Sequence, residues 1–136
     1  MVMNTDCVFC KIVKGEIPSF KFWEDKYHMA FLSIYPDIEG MTILAPKIHY
    51  SSYIFKQEEK VISKLMAAAK EVAKILDAKL NNIERTRLVF EGFEVDHLHA
   101  KLYPIPKNLM RMPDLCTKQA TTDELTKVLE KLQVKL

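Results

Sequence analysis

Two short stretches of this 136-residue chain carry most of its reactive side chains: Cys7-Val8-Phe9-Cys10, and Asp96-His97-Leu98-His99-Ala100-Lys101. In a helix, residues three apart share a face with Cβ atoms about 5–6 Å apart, a spacing that lets two thiolates reach one tetrahedral metal ion. A redox reading of the same Cys-x-x-Cys needs a strand before it, and too few residues precede Cys7 to supply one. In the second stretch the pattern reads as a strand. Side chains alternate along a strand, so His97, His99, Lys101 and Tyr103 share one face while Leu98, Ala100 and Leu102 form the other. Same-face neighbours lie roughly 6.6 Å apart, close enough to serve one site. Two histidines so spaced also occur as plain decoration of a half-exposed strand, and the spacing alone does not choose.

A cysteine pair needs further ligands before it holds a metal. His49, in Ala45-Pro46-Lys47-Ile48-His49, and His97 are the candidates, and with Cys7 and Cys10 they complete a Cys₂His₂ set. Four protein ligands leave no open position for an activated water, which is the pattern of structural zinc. Such an ion holds the N-terminal segment against the rest of the domain, and any catalysis comes from other residues.

The elements that would position these groups can be read from periodicity. Cys7–Gly15 reads as a short helix stopped by glycine. Phe20–Trp23, Tyr27–Ile34 and Met41–Ala45 read as strands, divided by the turn at Glu24-Asp25-Lys26 and the loop from Pro36 to Gly40. From Lys56 to Leu80, Ile62, Leu65, Met66, Ala69, Val72, Ala73, Ile75, Leu76 and Leu80 recur at three- and four-residue steps, predicting one long amphipathic helix. Arg85–Glu91 and His97–Tyr103 are further strands with a turn at Gly92, and Pro104 to Ala120 reads as loop. A last helix starts near Thr121, with Glu124 completing a capping box. These elements predict an α+β domain with an antiparallel sheet and its helices on one face.

Composition narrows the class. Twenty basic residues against 18 acidic ones give a net charge of +2, which argues against a generalised nucleic-acid binder. No apolar run approaches the roughly 20 residues of a membrane span, and the N-terminus has no secretory pattern. Three cysteines do not suggest a disulfide framework. The expectation is a cytosolic protein with one domain over residues 1–136, its core about 5–107 and a C-terminal extension over 108–136. His28 reads as an ordinary half-exposed strand residue, Cys116 as a small buried apolar one, and Lys107 and Arg111 as solvated surface.

Several ordered motifs resemble one family, the histidine-triad (HIT) nucleotide hydrolases and transferases. They run from Cys7 to Pro18, through Trp23-Glu24-Asp25, Ala30-Phe31-Leu32 and Gly40–His49, to Gly92–His99, within about the first 105 residues. The resemblance implies a homodimer with the Lys56–Leu80 helix near the two-fold axis. It also implies a zinc site at Cys7, Cys10, His49 and His97, and a base pocket lined by Phe31, Ile34 and Ile43. The family's triad is His-x-His-x-His, and its nucleophilic middle position is His99 here. An imidazole nitrogen attacks the α-phosphorus of a nucleotide phosphoramidate or polyphosphate, and a nucleotidyl-histidine forms. The opposite ring N–H must then be held by an acceptor.

This chain departs from the family pattern at several places. Lys101 occupies the third triad position. Ser33 stands where an aspartate usually bonds the ribose, Phe90 and Phe93 replace amide side chains, and Glu94 replaces a small hydroxyl residue. Lysine attracts phosphate as a point charge but does not reproduce imidazole geometry. The competing readings are therefore a nucleotide-binding or dimeric interaction module that keeps fold and zinc without turnover, and a protein whose zinc itself does chemistry.

Overall fold

The computed structural model describes residues 6–109, 111–112 and 118–133. Its elements run α1 (Val8–Val13), β1 (Lys21–Glu24), β2 (His28–Leu32), β3 (Thr42–Pro46), α2 (Glu59–Lys79), β4 (Ile83–Val89), β5 (Ala100–Pro106) and α3 (Thr122–Leu132). The strands form one antiparallel sheet in the order β1-β2-β3-β5-β4. Among the described residues, no helix is long and apolar enough to cross a membrane.

Strand alternation divides the core between the two faces of this sheet. Ala30, Leu32, Leu44, Ala100 and Leu102 pack against Leu65, Ala69, Val72 and Leu76 of α2 and against Leu125, Val128 and Leu132 of α3. Met29, Phe31, Ile43 and Ala45 project from the other face, where they pack with Cys7, Phe9 and Cys10. The helices are thus not all on one side as expected: α1 lies opposite α2 and α3. Its two apolar turns suffice to cover only the patch around the cysteines, which is where the metal-ligand spacing needs them.

The ends of the elements follow local chemistry. Gly15, at φ +79°, allows the chain to leave α1 through a conformation unfavourable for other residues. The capping box of α3 is formed: Thr121 Oγ1 accepts from the Glu124 backbone N–H at 3.1 Å, and the Glu124 carboxylate accepts from the Thr121 N–H. Two boundaries differ from the periodic reading. Strand β5 begins at Ala100, so His97 and His99 lie in the segment leading into it, and the strand runs on through Pro104 to Pro106. Both prolines are accommodated because antiparallel pairing leaves alternate positions unbonded on one side.

Candidate active site and metal centre

The candidate metal ligands come from four separate places: Cys7 precedes α1, Cys10 lies within it, His49 follows β3, and His97 precedes β5. Their sulfur and nitrogen atoms all lie within 4.8 Å of one another. Cys7 Sγ is 3.4 Å from His97 Nδ1, Cys10 Sγ is 3.4 Å from His49 Nδ1 and 3.5 Å from His97 Nδ1, and the two Nδ1 atoms are 3.2 Å apart. A tetrahedron with Zn–S near 2.3 Å and Zn–N near 2.05 Å has S···N edges of about 3.6 Å and N···N edges of about 3.3 Å. The donor set therefore fits a zinc-sized cation.

The tautomer of His97 also suits such a cation. Its Nε2–H donates to the Pro46 carbonyl at 2.8 Å, leaving the Nδ1 lone pair facing both thiols and His49. Burial pushes the His97 pKa down to about 4, so the ring is neutral, the form in which imidazole ligates. The metal-facing loops are cross-tied. Ser52 donates its backbone N–H to Asp96 Oδ1 at 2.9 Å and its hydroxyl to the Gly92 carbonyl at 3.0 Å. The Ser52 N–H also holds the Asp96 carboxyl below its ordinary range.

His99 sits beside this centre. Its Nδ1–H donates to the His97 carbonyl at 2.6 Å, which directs Nε2 the other way. The residue is only 4% exposed. Burial, assisted by the charge of Lys101, lowers its pKa against the upward pull of the His97 carbonyl. The ring thus remains a neutral base with a lone pair on Nε2.

The cross-strand register extends the site. Phe31 pairs with Ile43, Ile43 with Lys101, and Lys101 with Val89, forming one row across four strands. Phe31 and Ile43 are buried, whereas Ile34 is 42% exposed in the loop after β2. Ser33 is engaged within that loop, its hydroxyl accepting from the Tyr35 N–H and its N–H donating to the Met41 carbonyl. The structure thus brings Phe31, Ile43 and Lys101 into one row and leaves Ser33 and Ile34 at its edge. Lys101 is mostly buried and its Nζ lies 4.0 Å from Glu91 Oε1.

Phe93 is 91% exposed, whereas Phe90 packs against the α2 face of the core. His28 is not half-exposed: it is buried with its Nδ1 against the Asp25 carboxylate at 3.1 Å. Alternation from Ala30 and Leu32 turns it toward α2. Lys107 is exposed, as expected, and Cys116 lies outside the described residues.

Two residues escaped the sequence reading. Phe9, between the cysteines, meets the rings of His99 edge-on at 4.9 Å, Phe31 at 5.5 Å and His97 at 5.7 Å between centroids. It is the apolar wall that dries the histidines, and its place inside the Cys-x-x-Cys loop was the available signal. Glu91, just beyond β4, is the other, since only the folded structure brings its carboxylate to 4.0 Å from Lys101 Nζ.

This sheet, with a buried histidine directed by a backbone carbonyl beside a Cys₂His₂ centre, defines a class of protein, and comparison with known proteins gives the same answer. The HIT domain family model matches residues 14–107, and the chain belongs to the HIT family. It is 37% identical over 102 residues to adenosine 5'-monophosphoramidase HNT1 of Saccharomyces cerevisiae, an alignment covering 75% of this chain and 64% of the yeast protein. A hypothetical histidine triad nucleotide-binding protein of Sulfolobus tokodaii shares the fold with a TM-score of 0.80 at 22% identity, over 93% of this chain and 89% of that one. A zinc-bound histidine triad family protein of Mycobacterium smegmatis does so with a TM-score of 0.73 at 20% identity, over 93% of each chain.

Proposed function

We propose that this HIT-family hydrolase acts on the α-phosphate of a nucleotide phosphoramidate or phosphoanhydride through a nucleotidyl-histidine at His99. The observation that carries this reading is the 2.6 Å hydrogen bond from His99 Nδ1 to the His97 carbonyl, because it leaves Nε2 as a buried lone-pair donor. The Nε2 lone pair forms the N–P bond, and the leaving amine or phosphate departs with the electron pair of the bond it loses and takes up a proton. Water or another acceptor then attacks the same phosphorus, breaks the N–P bond and returns the neutral imidazole. Lys101, in the same cross-strand row, supplies positive charge toward the phosphate oxygens. Phe31 and Ile43, with Ile34 and Ser33 at the rim, form the nucleoside side of the site.

Zinc is the cation that the Cys7, Cys10, His49 and His97 geometry fits best, and a bound zinc ion contributes folding energy to the loops that carry the site. A homodimer accords with the open outer side of β4, the last strand of the sheet. The name of the yeast relative makes adenosine phosphoramidate the substrate to try first. Release of AMP by the wild type, none by His99→Ala, and an adduct of nucleotidyl mass on His99 in quenched wild-type samples are the expected results. Equal turnover by the two proteins removes His99 from the mechanism.

A second reading rests on the Lys101–Glu91 approach at 4.0 Å. With its ammonium already facing a carboxylate, the third triad position suits a nucleotide-binding module without turnover. Saturable nucleotide binding without any His99 adduct distinguishes it.

A further inference from the structure

The α2 face of the sheet carries a third buried histidine, which the reading above does not use. His28 is 5% exposed, and its Nδ1 is held by the Asp25 carboxylate, which also accepts the backbone N–H groups of Tyr27 and His28. No buried side-chain nitrogen or oxygen among the described residues lacks a partner, and His28 Nε2 makes no hydrogen bond, so that atom retains access to solvent. His28 lines a cavity of about 270 Å³ together with Tyr27, Tyr50, Glu58, Lys60 and Lys64 among others.

The charges around this cavity converge. Glu58 is the N-cap of the 21-residue helix α2 and Glu59 and Lys60 open its first turn; the cap side chain makes no hydrogen bond to the helix, so the N-terminal N–H groups are available to an anion. The Lys64 and Lys26 ammonium groups approach the Tyr27 ring at 4.7 Å and 5.4 Å from its centroid. Among the described residues neither Lys60 nor Lys64 forms an ion pair. Opposing charge comes from Glu58 at the rim, from Glu59 in the first turn of α2, and from Asp25, whose oxygens are engaged by N–H groups. A metal ion is not the fitting occupant, because His28 is not part of any cluster of three or more metal-ligating side chains among the described residues.

We propose that this cavity binds a phosphate group, with His28 Nε2 at its floor, the α2 N-terminus at one wall and Lys60 and Lys64 closing over it. Nε2 accepts from the P–OH of a monohydrogen phosphate, or donates to P–O⁻ when the ring is protonated, while the lysines take the remaining oxygens. The group comes either as the free ion or on a small phosphomonoester. The site lies across the sheet from His99 and does not depend on the activity proposed for it.

The test follows the His28 ring by NMR in the metal-loaded full chain at constant ionic strength, as inorganic phosphate and, separately, glycerol phosphate replace chloride. A saturable shift of the His28 Cε1–H signal is expected, with affinity weakened about tenfold in Lys64→Ala, whose side chain is exposed and whose fold is not at risk. The same titration in His99→Ala is expected to be unchanged, which separates this site from the catalytic face. Saturation by glycerol phosphate alone assigns the phosphate to a larger molecule, and saturation by both admits the free ion. A linear drift no different from chloride, or equal affinity in Lys64→Ala, overturns the proposal.

Discussion

The carbonyl of His97 accepts the Nδ1–H of His99 at 2.6 Å, so the residue that faces the metal-ligating cysteines also orients the ring of its neighbour two positions on. The candidate metal centre and the candidate nucleophile are therefore coupled through one short piece of backbone. Loss of metal should loosen His97 and with it the direction of His99 Nε2. Zinc removal by chelation, or Cys10→Ser, is expected to lower Tm by on the order of 10 °C, as follows from about 3 kcal/mol in a domain of this size. Turnover should fall in parallel, and added zinc should restore both in the wild type but not in Cys10→Ser. Differential scanning fluorimetry with a chelator titration measures this. A Tm indifferent to chelator in protein shown to have been metal-loaded would remove the stabilising role.

Gly92 is the tightest point of the loop pair that carries His49 and His97. Its φ is +79°, and a Cβ there would lie 2.3 Å from Ser52 Cβ. Ser52 is the residue that ties the two loops together through Gly92 and Asp96. Gly92→Ala is expected to cost about 1–3 kcal/mol through backbone strain and to weaken metal affinity as the loops separate. Urea denaturation with and without zinc checks both. A change in stability with unchanged metal affinity would show that the tie does not reach the ligands.

Much of this arrangement was legible in the chain because it rests on local patterns. Leu65, Ala69, Val72 and Leu76 recur at helical spacing, and Thr121 and Glu124 stand three apart, so α2 and the cap of α3 are visible without tertiary information. The Cys7/Cys10 pair and the two metal-facing histidines are likewise distinctive residue types. What was hidden depends on register and on faces. The pairing of Phe31, Ile43 and Lys101 in one row, and the meeting of Lys101 with Glu91, exist only once the strands are aligned. His28 reads as half-exposed because nothing local reports that α2 covers its side of β2, while α1 was expected on that side because periodicity does not say which face a helix takes.

Asp25 offers a pH test of the buried His28 arrangement. Burial pushes its carboxyl up, but the N–H groups of Tyr27 and His28 and the His28 ring together outweigh that and hold it below the ordinary 3.8. A carboxyl whose folded-state pKa is depressed contributes stability that is present above the unfolded value and is lost as pH falls through the folded one. Wild-type unfolding free energy should therefore drop between pH 5 and pH 3 more steeply than that of Asp25→Asn, whose side chain does not ionise. At pH 7 the substitution should cost about 1–2 kcal/mol, for hydrogen bonds to a charged acceptor replaced by weaker ones. Chemical denaturation at several pH values measures both. Parallel pH profiles for the two proteins would remove Asp25 as the source.

Lys101 and Glu91 set the charge beside His99, which a phosphate would meet in the proposed reaction. The Lys101 side chain is 18% exposed and its Nζ is 4.0 Å from Glu91 Oε1, so part of its field is spent on the carboxylate. Glu91 also raises the His99 pKa where Lys101 lowers it, which makes the pair act on the ring in opposite directions. Removing the cation with Lys101→Met should lower kcat/KM for adenosine phosphoramidate by about 10²-fold, the scale of one oriented electrostatic contact in a shielded site. Removing the anion with Glu91→Gln frees the ammonium for the phosphate and should lower KM severalfold with little change in kcat. The double variant should resemble Lys101→Met, because Glu91 acts chiefly by occupying the lysine. Steady-state kinetics on the four proteins form a double-mutant cycle, and additive effects would show that the two side chains act on the substrate independently.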